Sequence, residues 1–310
     1  MAQNTATAAT IPLIALVGPT ASGKTAMGIA LAEALDGEIV SADSRQIYRE
    51  MEIGTAKPTP AERARIPHHL LDVVAPDEPF TLAIYQQLAT AAIADIYARG
   101  KLPLLVGGTG LYVRAVVDGL VIPAVPPNEA QRAEWEALAQ REGNERLHAL
   151  LAERDPVAAA AIPPNNVRRV IRALEVCLAT GQPFSALQQK RPTPYQLKML
   201  GLSTDRERLY AWADARVDAM LAAGFVDEVR HLVARGYDWR LPAMSSLGYR
   251  QMGAYLRGEM SLEDAVQRLK FDTHNFIRRQ LAWFRPDKRI HWLDAAAPDL
   301  LGQALAVIGR

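Results

Sequence analysis

The chain has 310 residues, 49% hydrophobic and 22% charged, with a net charge of +1, a balance that provides a core and excludes binding to nucleic acid through bulk charge alone. A single cysteine, Cys177, rules out an internal disulfide and a cysteine-built metal site, and is expected to pack as a small apolar residue. No apolar run reaches membrane-spanning length, and residues 1–10 have neither the basic nor the apolar stretch of a signal or transit peptide, so a loose tail and a cytosolic enzyme are expected.

The apolar run from Ile11 to Val17 predicts a strand. Directly after it come Gly18, Pro19, Thr20, Ala21, Ser22, Gly23, Lys24 and Thr25. Two glycines flanking four residues, then Lys-Thr, make a phosphate-binding P-loop. The glycines let backbone N–H groups converge on one anion, and the helix predicted from Thr25 to about Leu35 adds its N-terminal dipole. Lys24 is placed for the phosphates, and the Thr25 hydroxyl is a candidate ligand for Mg²⁺. A short strand over 37–42 follows, then a strand or extended segment over 68–74. Apolar spacing predicts a helix over 81–99, stopped by Gly100, and a strand over 102–106 closed by Gly107-Gly108-Thr109-Gly110. This alternation predicts an α/β fold with a P-loop-type parallel sheet flanked by helices.

The pattern changes near Gly119, and Pro123-Ala-Val-Pro-Pro forms a joint. Residues 128–187 read as helices only, so an inserted all-helical subdomain is expected over 121–194, between core segments 1–120 and 195–310. A strand is expected over 195–202, a helix over 206–235 broken near Gly224, further helix to about Phe284, and a last strand at Arg289–Leu293.

Asp43 follows the second strand, where open α/β sheets bind ligands. Its carboxylate could take a proton or hold an amine, or simply cap a helix. The strand over 102–106 ends in glycines where a P-loop ATPase would place a magnesium-binding Asp. Such a turn lets a ligand approach closely, with Thr109 offering a hydroxyl, or merely needs small residues. Arg168 and Arg172 share a helix face, with Arg169 one residue round from Arg168. A second basic group, Arg278, Arg279, Arg285, Lys288 and Arg289, is interleaved with Phe276, Trp283 and Phe284. Arginine beside aromatic rings suits single-stranded RNA loops, although either group could also be a solvated face. His68 and His69 point apart in a strand and make a poor metal pair.

Taken together, these motifs resemble those of the bacterial tRNA dimethylallyltransferases. The resemblance runs nearly end to end through Asp-Ser-Arg-Gln (43–46), Gly-Thr-Ala-Lys-Pro-Thr (54–59), His-His-Leu-Leu-Asp (68–72), Gly-Gly-Thr-Gly-Leu-Tyr (107–112), Arg-Ala-Leu-Glu-Val (172–176), Leu-Gly-Tyr-Arg-Gln (247–251) and Arg-Gln-Leu-Ala-Trp-Phe-Arg (279–285). It implies transfer of a dimethylallyl group from dimethylallyl diphosphate to N6 of adenosine 37, beside the tRNA anticodon. Gly18 to Thr25 and Arg216 would hold the diphosphate, with Mg²⁺ near Thr25. Asp43, Thr109 and Arg216 would be catalytic. The segment Asp43, Ser44, Arg45 and Gln46, with Thr109, would meet the RNA. So would Arg132, Arg168, Arg169, Val170, Ile171 and Arg172, the segment Ser245, Ser246, Leu247, Gly248, Tyr249 and Arg250, and Arg278 and Arg279. Trp212 departs from the family's arginine at that position. The partners implied are tRNA and dimethylallyl diphosphate, with no membrane, for a cytoplasmic monomer. A P-loop motif alone would suggest ATP and a kinase. The missing Asp opposes a kinase, and the arginine-bearing insertion favours tRNA over a free adenine nucleotide as acceptor. A nucleotide-dependent RNA-binding module without catalysis is the remaining alternative.

Overall fold

The computed structural model describes residues 10–309. The expected N-terminal tail lies largely outside them. The chain divides into two compact units, one of residues 10–117 and 194–309, the other of 118–193.

In the larger unit, β1 (Ile11–Val17) leads into α1 (Lys24–Leu35), followed by β2 (Gly37–Ser41), α2 (Pro60–Arg65), β3 (His68–His69), α3 (Leu82–Ala98), β4 (Leu102–Gly107) and α4 (Gly110–Val117). The smaller unit holds α5 (Glu129–Glu142), α6 (Asn144–Arg154), α7 (Pro156–Ala161), α8 (Val167–Thr180) and α9 (Phe184–Leu187). The chain returns through β5 (Tyr195–Ser203), α10 (Arg206–Ala222), α11 (Phe225–Ala234), α12 (Tyr249–Leu256), α13 (Leu262–Phe284), β6 (Ile290–Asp294) and α14 (Leu300–Ile308).

Among the described residues the six strands form one parallel sheet in the order β3-β2-β4-β1-β5-β6. Alternate residues of the strands feed two apolar layers, which is why their sequences are almost uniformly hydrophobic. Leu13, Ala15 and Val17 pack with Tyr85, Ile93 and Tyr112 from α3 and α4 on one face. Ile14 and Leu16 pack with Ile29 and Leu31 of α1 and Ala304 of α14 on the other. Because β2, β4 and β1 are neighbours, their carboxyl ends meet at one rim. Ser41 is in register with Val106, and Val17 with Gly107. A further core joins Ile47 and Met51 to Phe225, Tyr249, Met252 and Leu269 from α11, α12 and α13.

The smaller unit has its own core, including Leu147, Leu151, Ile162, Val170, Ile171 and Leu174. Its two ends are tied together by the Arg191 N–H on the Gly119 carbonyl at 2.8 Å and by Lys190 on Asp118 at 3.2 Å. Cys177 is buried with a free thiol, the apolar role expected of it.

Two sequence expectations need correction, and one helix was not expected at all. Only His68 and His69 join the sheet, because Leu70 and Asp72 adopt φ of 65° and 56°. The backbone of 72–74 instead donates to the Gln46 and Ile47 carbonyls, spending its hydrogen bonds on a loop. Residues 236–248 are turns rather than helix, entered at Gly236 (φ 91°) and left at Gly248 (φ 92°). Finally, α14 covers the sheet beyond the last predicted strand.

Candidate active site

The rim above β1, β2 and β4 opens into a cavity of about 710 Å³, lined entirely by the larger unit. At one end is the P-loop. Gly18 cannot carry a side chain, because a Cβ would run into the Leu202 carbonyl of β5. Gly23 (φ 79°) and Ala21 (φ 63°) bend the loop back toward the start of α1. Lys24 lies across the loop, with its ammonium donating to the Pro19 carbonyl at 2.5 Å. Desolvation lowers its pKa to about 7, the Arg216 guanidinium pushes the same way and Asp43 opposes. Arg216, from α10, donates to Thr20 Oγ1 at 3.1 Å, and desolvation weakens its hold on its proton as well. Two cations kept short of water at a loop rich in N–H donors make a site that gains by receiving an anion.

Ser22 Oγ is buried with no hydrogen-bond partner, and the Thr25 hydroxyl lines the same cavity. Among the described residues, no group of three or more His, Cys, Asp or Glu could hold a metal. The oxygen donors on the cavity wall include hydroxyls and the Asp43 and Glu62 carboxylates, hard ligands of the kind Mg²⁺ accepts when phosphate oxygens and water complete its shell. The residues therefore fit a magnesium–diphosphate pair rather than an all-protein metal cage.

After β2, Asp43 Oδ1 accepts the Arg45 N–H at 2.8 Å, which fixes the carboxylate over its own turn. Thr109 Oγ1 accepts the Ser44 N–H at 3.0 Å, and the Thr109 N–H donates to the Ala42 carbonyl at 3.1 Å. Gly107 allows that approach, since a Cβ there would enter the Ala42 backbone. Asp43 and Thr109 are thus locked together at the ends of β2 and β4. Gln46 Nε2 donates to the carbonyls of Thr55 and Ala56, and Arg45 to that of Pro242 at 2.9 Å. Glu228 takes the N–H groups of Glu52, Ile53 and Gly54 and the Tyr249 hydroxyl, so that loop is anchored from α11.

The cavity therefore unites Thr20 to Thr25, Asp43 to Gln46, Thr109, Arg216, Ser245 to Arg250 and Arg279, with Gly18 and Pro19 buried behind the loop. Arg278 is exposed on α13 and donates to Asn275. Arg168 and Arg169 are exposed on α8 in the other unit.

Five of the residues expected at RNA have structural engagements of their own. Val170 and Ile171 are core residues of the smaller unit. Arg132 and Arg172 both clasp Glu175, at 2.9 and 2.5 Å, whose carboxylate is 2% exposed. They are engaged in holding that helical unit together. The Tyr249 ring is fully buried, with its hydroxyl on Glu228.

Sequence reasoning named Phe276 and Trp283 only as aromatic neighbours of a basic group, and missed His68 and Gln280 as parts of the cavity. Trp283, 44% exposed, covers Gly110, and Phe276 lines the same wall. His68 Nδ1 bonds the Ile66 carbonyl at 2.7 Å, leaving a buried Nε2 without a partner on the cavity wall. Gln280 binds both glycine-rich loops. Periodicity alone marks none of these, although Gln280 and Trp283 fall inside a motif that the sequence already offered.

The chain matches the IPP transferase family model over residues 46–287 and an isopentenyl transferase model over 11–72. The chain belongs to the IPP transferase family. A tRNA dimethylallyltransferase of Roseiflexus castenholzii is 60% identical over 96% of this chain and 97% of that protein. The tRNA isopentenylpyrophosphate transferase of Bacillus halodurans is 43% identical and superimposes with a TM-score of 0.72, covering 96% of this chain and 94% of that one. A eukaryotic dimethylallyltransferase acting on tRNA is 26% identical with a TM-score of 0.80, covering 97% of this chain and 79% of that one. As in the cavity described above, this IPP transferase has glycine, not Asp, at the end of β4. No helix among its described residues is long and apolar enough to cross a membrane.

Proposed function

We propose that this protein transfers a dimethylallyl group from dimethylallyl diphosphate to N6 of adenosine 37 in tRNA. The observation that carries this reading is one cavity that holds both an anion cradle and the Asp43 and Thr109 turns, in a chain of this family.

The chemistry follows from the residues. The bond from the allylic carbon to the diphosphate oxygen breaks, and a bond from that carbon to N6 forms. Charge grows on the departing diphosphate, where the P-loop N–H groups, Lys24 and Arg216 meet it without reorganising. The Thr25 hydroxyl would help to hold Mg²⁺, which would supply further neutralisation of the diphosphate charge. Asp43 accepts the N6 proton, and Thr109 and the Ser44 backbone hold that carboxylate's turn in place. The adenine cannot react while stacked, so it is flipped into the cavity, where Trp283 and Phe276 offer ring faces.

Arg168, Arg169, Arg278 and Arg279, all exposed, are the basic groups we assign to tRNA phosphates. They favour tRNA over a free nucleotide as acceptor, because a small acceptor needs no second unit. Work as a cytoplasmic monomer goes with this reading, since donor-side and acceptor-side groups line one cavity of one copy. The test is radiolabel transfer. Allyl-labelled dimethylallyl diphosphate is expected to label tRNA and not AMP. Label moving instead from the γ-phosphate of ATP to an acceptor would make the protein a kinase.

A further inference from the structure

Gln280 lies on α13 and is 7% exposed. Its Oε1 accepts the Thr20 N–H at 2.8 Å, and its Nε2 donates to the Gly108 carbonyl at 2.9 Å. Thr20 belongs to the anion-binding loop, and Gly108 immediately precedes Thr109. One side-chain amide therefore joins the anion-binding loop to the turn that carries Thr109. The polarity is demanding, because one partner is a donor and the other an acceptor. A neutral carboxamide satisfies both, whereas a carboxylate can only accept and a methionine does neither. Gly108 is held to glycine by the same contact, since a Cβ there would strike Gln280 Nε2. Ile277 and Phe284, three and four residues away on the same helix face, are buried in the core, so the amide is carried on a fixed support.

We propose that Gln280 is a positioning residue for prenyl transfer, setting the separation between the diphosphate cradle and the Asp43–Thr109 pair. This role rests on the transfer reading above. Gln280 acts through the backbone of two loops, so its loss should disturb how the two bound substrates face each other more than the hold on either one. A displacement of about 1 Å between reacting groups costs on the order of 10²-fold in rate.

The experiment compares the full-length parent with Gln280→Met, which keeps the side-chain length and loses both hydrogen bonds, and Gln280→Glu, which keeps an acceptor for Thr20 and turns a second acceptor on Gly108. Steady-state kinetics with tRNA and dimethylallyl diphosphate are read beside thermal melting. Both variants should stay folded and lose roughly 10- to 100-fold in kcat, with each KM within about threefold of the parent. A kcat within twofold of the parent, a loss confined to KM, or a fall in melting temperature that accounts for the lost activity would each overturn the role. An inactive parent would overturn the transfer reading, and this role with it. An active parent with unimpaired variants would overturn this role alone.

Discussion

Lys24 carries the clearest electrostatic signature at the level of single residues. Its ammonium is desolvated beside Arg216, with a pKa of about 7 in the free protein. An anion in the loop favours the charged form, so the protonated lysine is the binding-competent one. Diphosphate affinity should therefore be full below pH 7 and fall as the pH rises above it, by up to about tenfold per unit until the complex itself titrates. Calorimetry with inorganic diphosphate at pH 6.5 and 8.5 checks this against Lys24→Arg, which stays charged. A slope shared by both proteins would show that it comes from the ligand alone. On the acceptor side, Asp43→Asn keeps an acceptor for the Arg45 N–H and cannot take a proton. Its turnover should drop ~10²–10⁴-fold, with tRNA binding near that of the parent. Turnover near the parent's would remove Asp43 as the base. Residue types at fixed spacing made the P-loop legible from sequence, whereas Asp43 was open between base and helix cap on spacing alone and took its role only from the family resemblance. Gln280 was not legible, because a buried amide on an amphipathic helix looks like any surface glutamine until its two partners are placed.

Among the elements, α8 shows how one helix serves two ends. Its exposed side presents Arg168 and Arg169, and its buried side carries Val170, Ile171 and Glu175. Burying a carboxylate is tolerable because two guanidiniums and the Asn128 N–H satisfy it. Glu175→Ala removes the acceptor that Arg132 and Arg172 share, leaving Arg132 with Glu129 and Arg172 with the Val125 and Pro123 carbonyls, and should destabilise the smaller unit by about 2 kcal/mol. Urea unfolding followed by tryptophan fluorescence reads this, Trp135 being packed against that core. A change below ~0.5 kcal/mol would make the cluster ornamental. The arginine pattern was visible in the sequence, but not its division of labour, since basic residues that hold a carboxylate and those that face solvent share the same spacing. The same ambiguity hid the turns at 70–74 and 236–248. Their residues are apolar enough for strand or helix, and the positive φ values at Leu70, Asp72 and Gly248 depend on tertiary partners. The last helix was not expected from the sequence, although Leu300, Leu301, Ala304, Leu305 and Ile308 recur at helical spacing.

For the whole molecule, a parallel sheet gathers segments distant in sequence at one rim. The order β2-β4-β1 places the Asp43 turn, the Thr109 turn and the P-loop side by side, and α10 and α13 close the cavity with Arg216, Gln280 and Trp283. The parallel arrangement followed from strand–helix alternation, whereas the helices that complete the wall came only with the tertiary fold. With a net charge of +1, tRNA binding must rest on local arginines rather than on the overall field. Affinity for tRNA should fall with salt, and Arg168→Ala with Arg169→Ala should lower the slope of log K against log salt by about one for each phosphate that these side chains neutralise. Filter binding over a salt series checks it, and an unchanged slope would clear both arginines of any phosphate role.

A flipped adenine in tRNA that attacks an allylic carbon, while the diphosphate sits in the P-loop, leaves one diagnostic product. Mass spectrometry of nucleosides from tRNA incubated with the protein, Mg²⁺ and dimethylallyl diphosphate detects it. The expected product is N6-isopentenyladenosine at position 37, formed without ATP and formed ~10²–10⁴-fold more slowly by Asp43→Asn. Unmodified adenosine from folded protein and a competent tRNA, or product that requires ATP, would contradict the transfer mechanism.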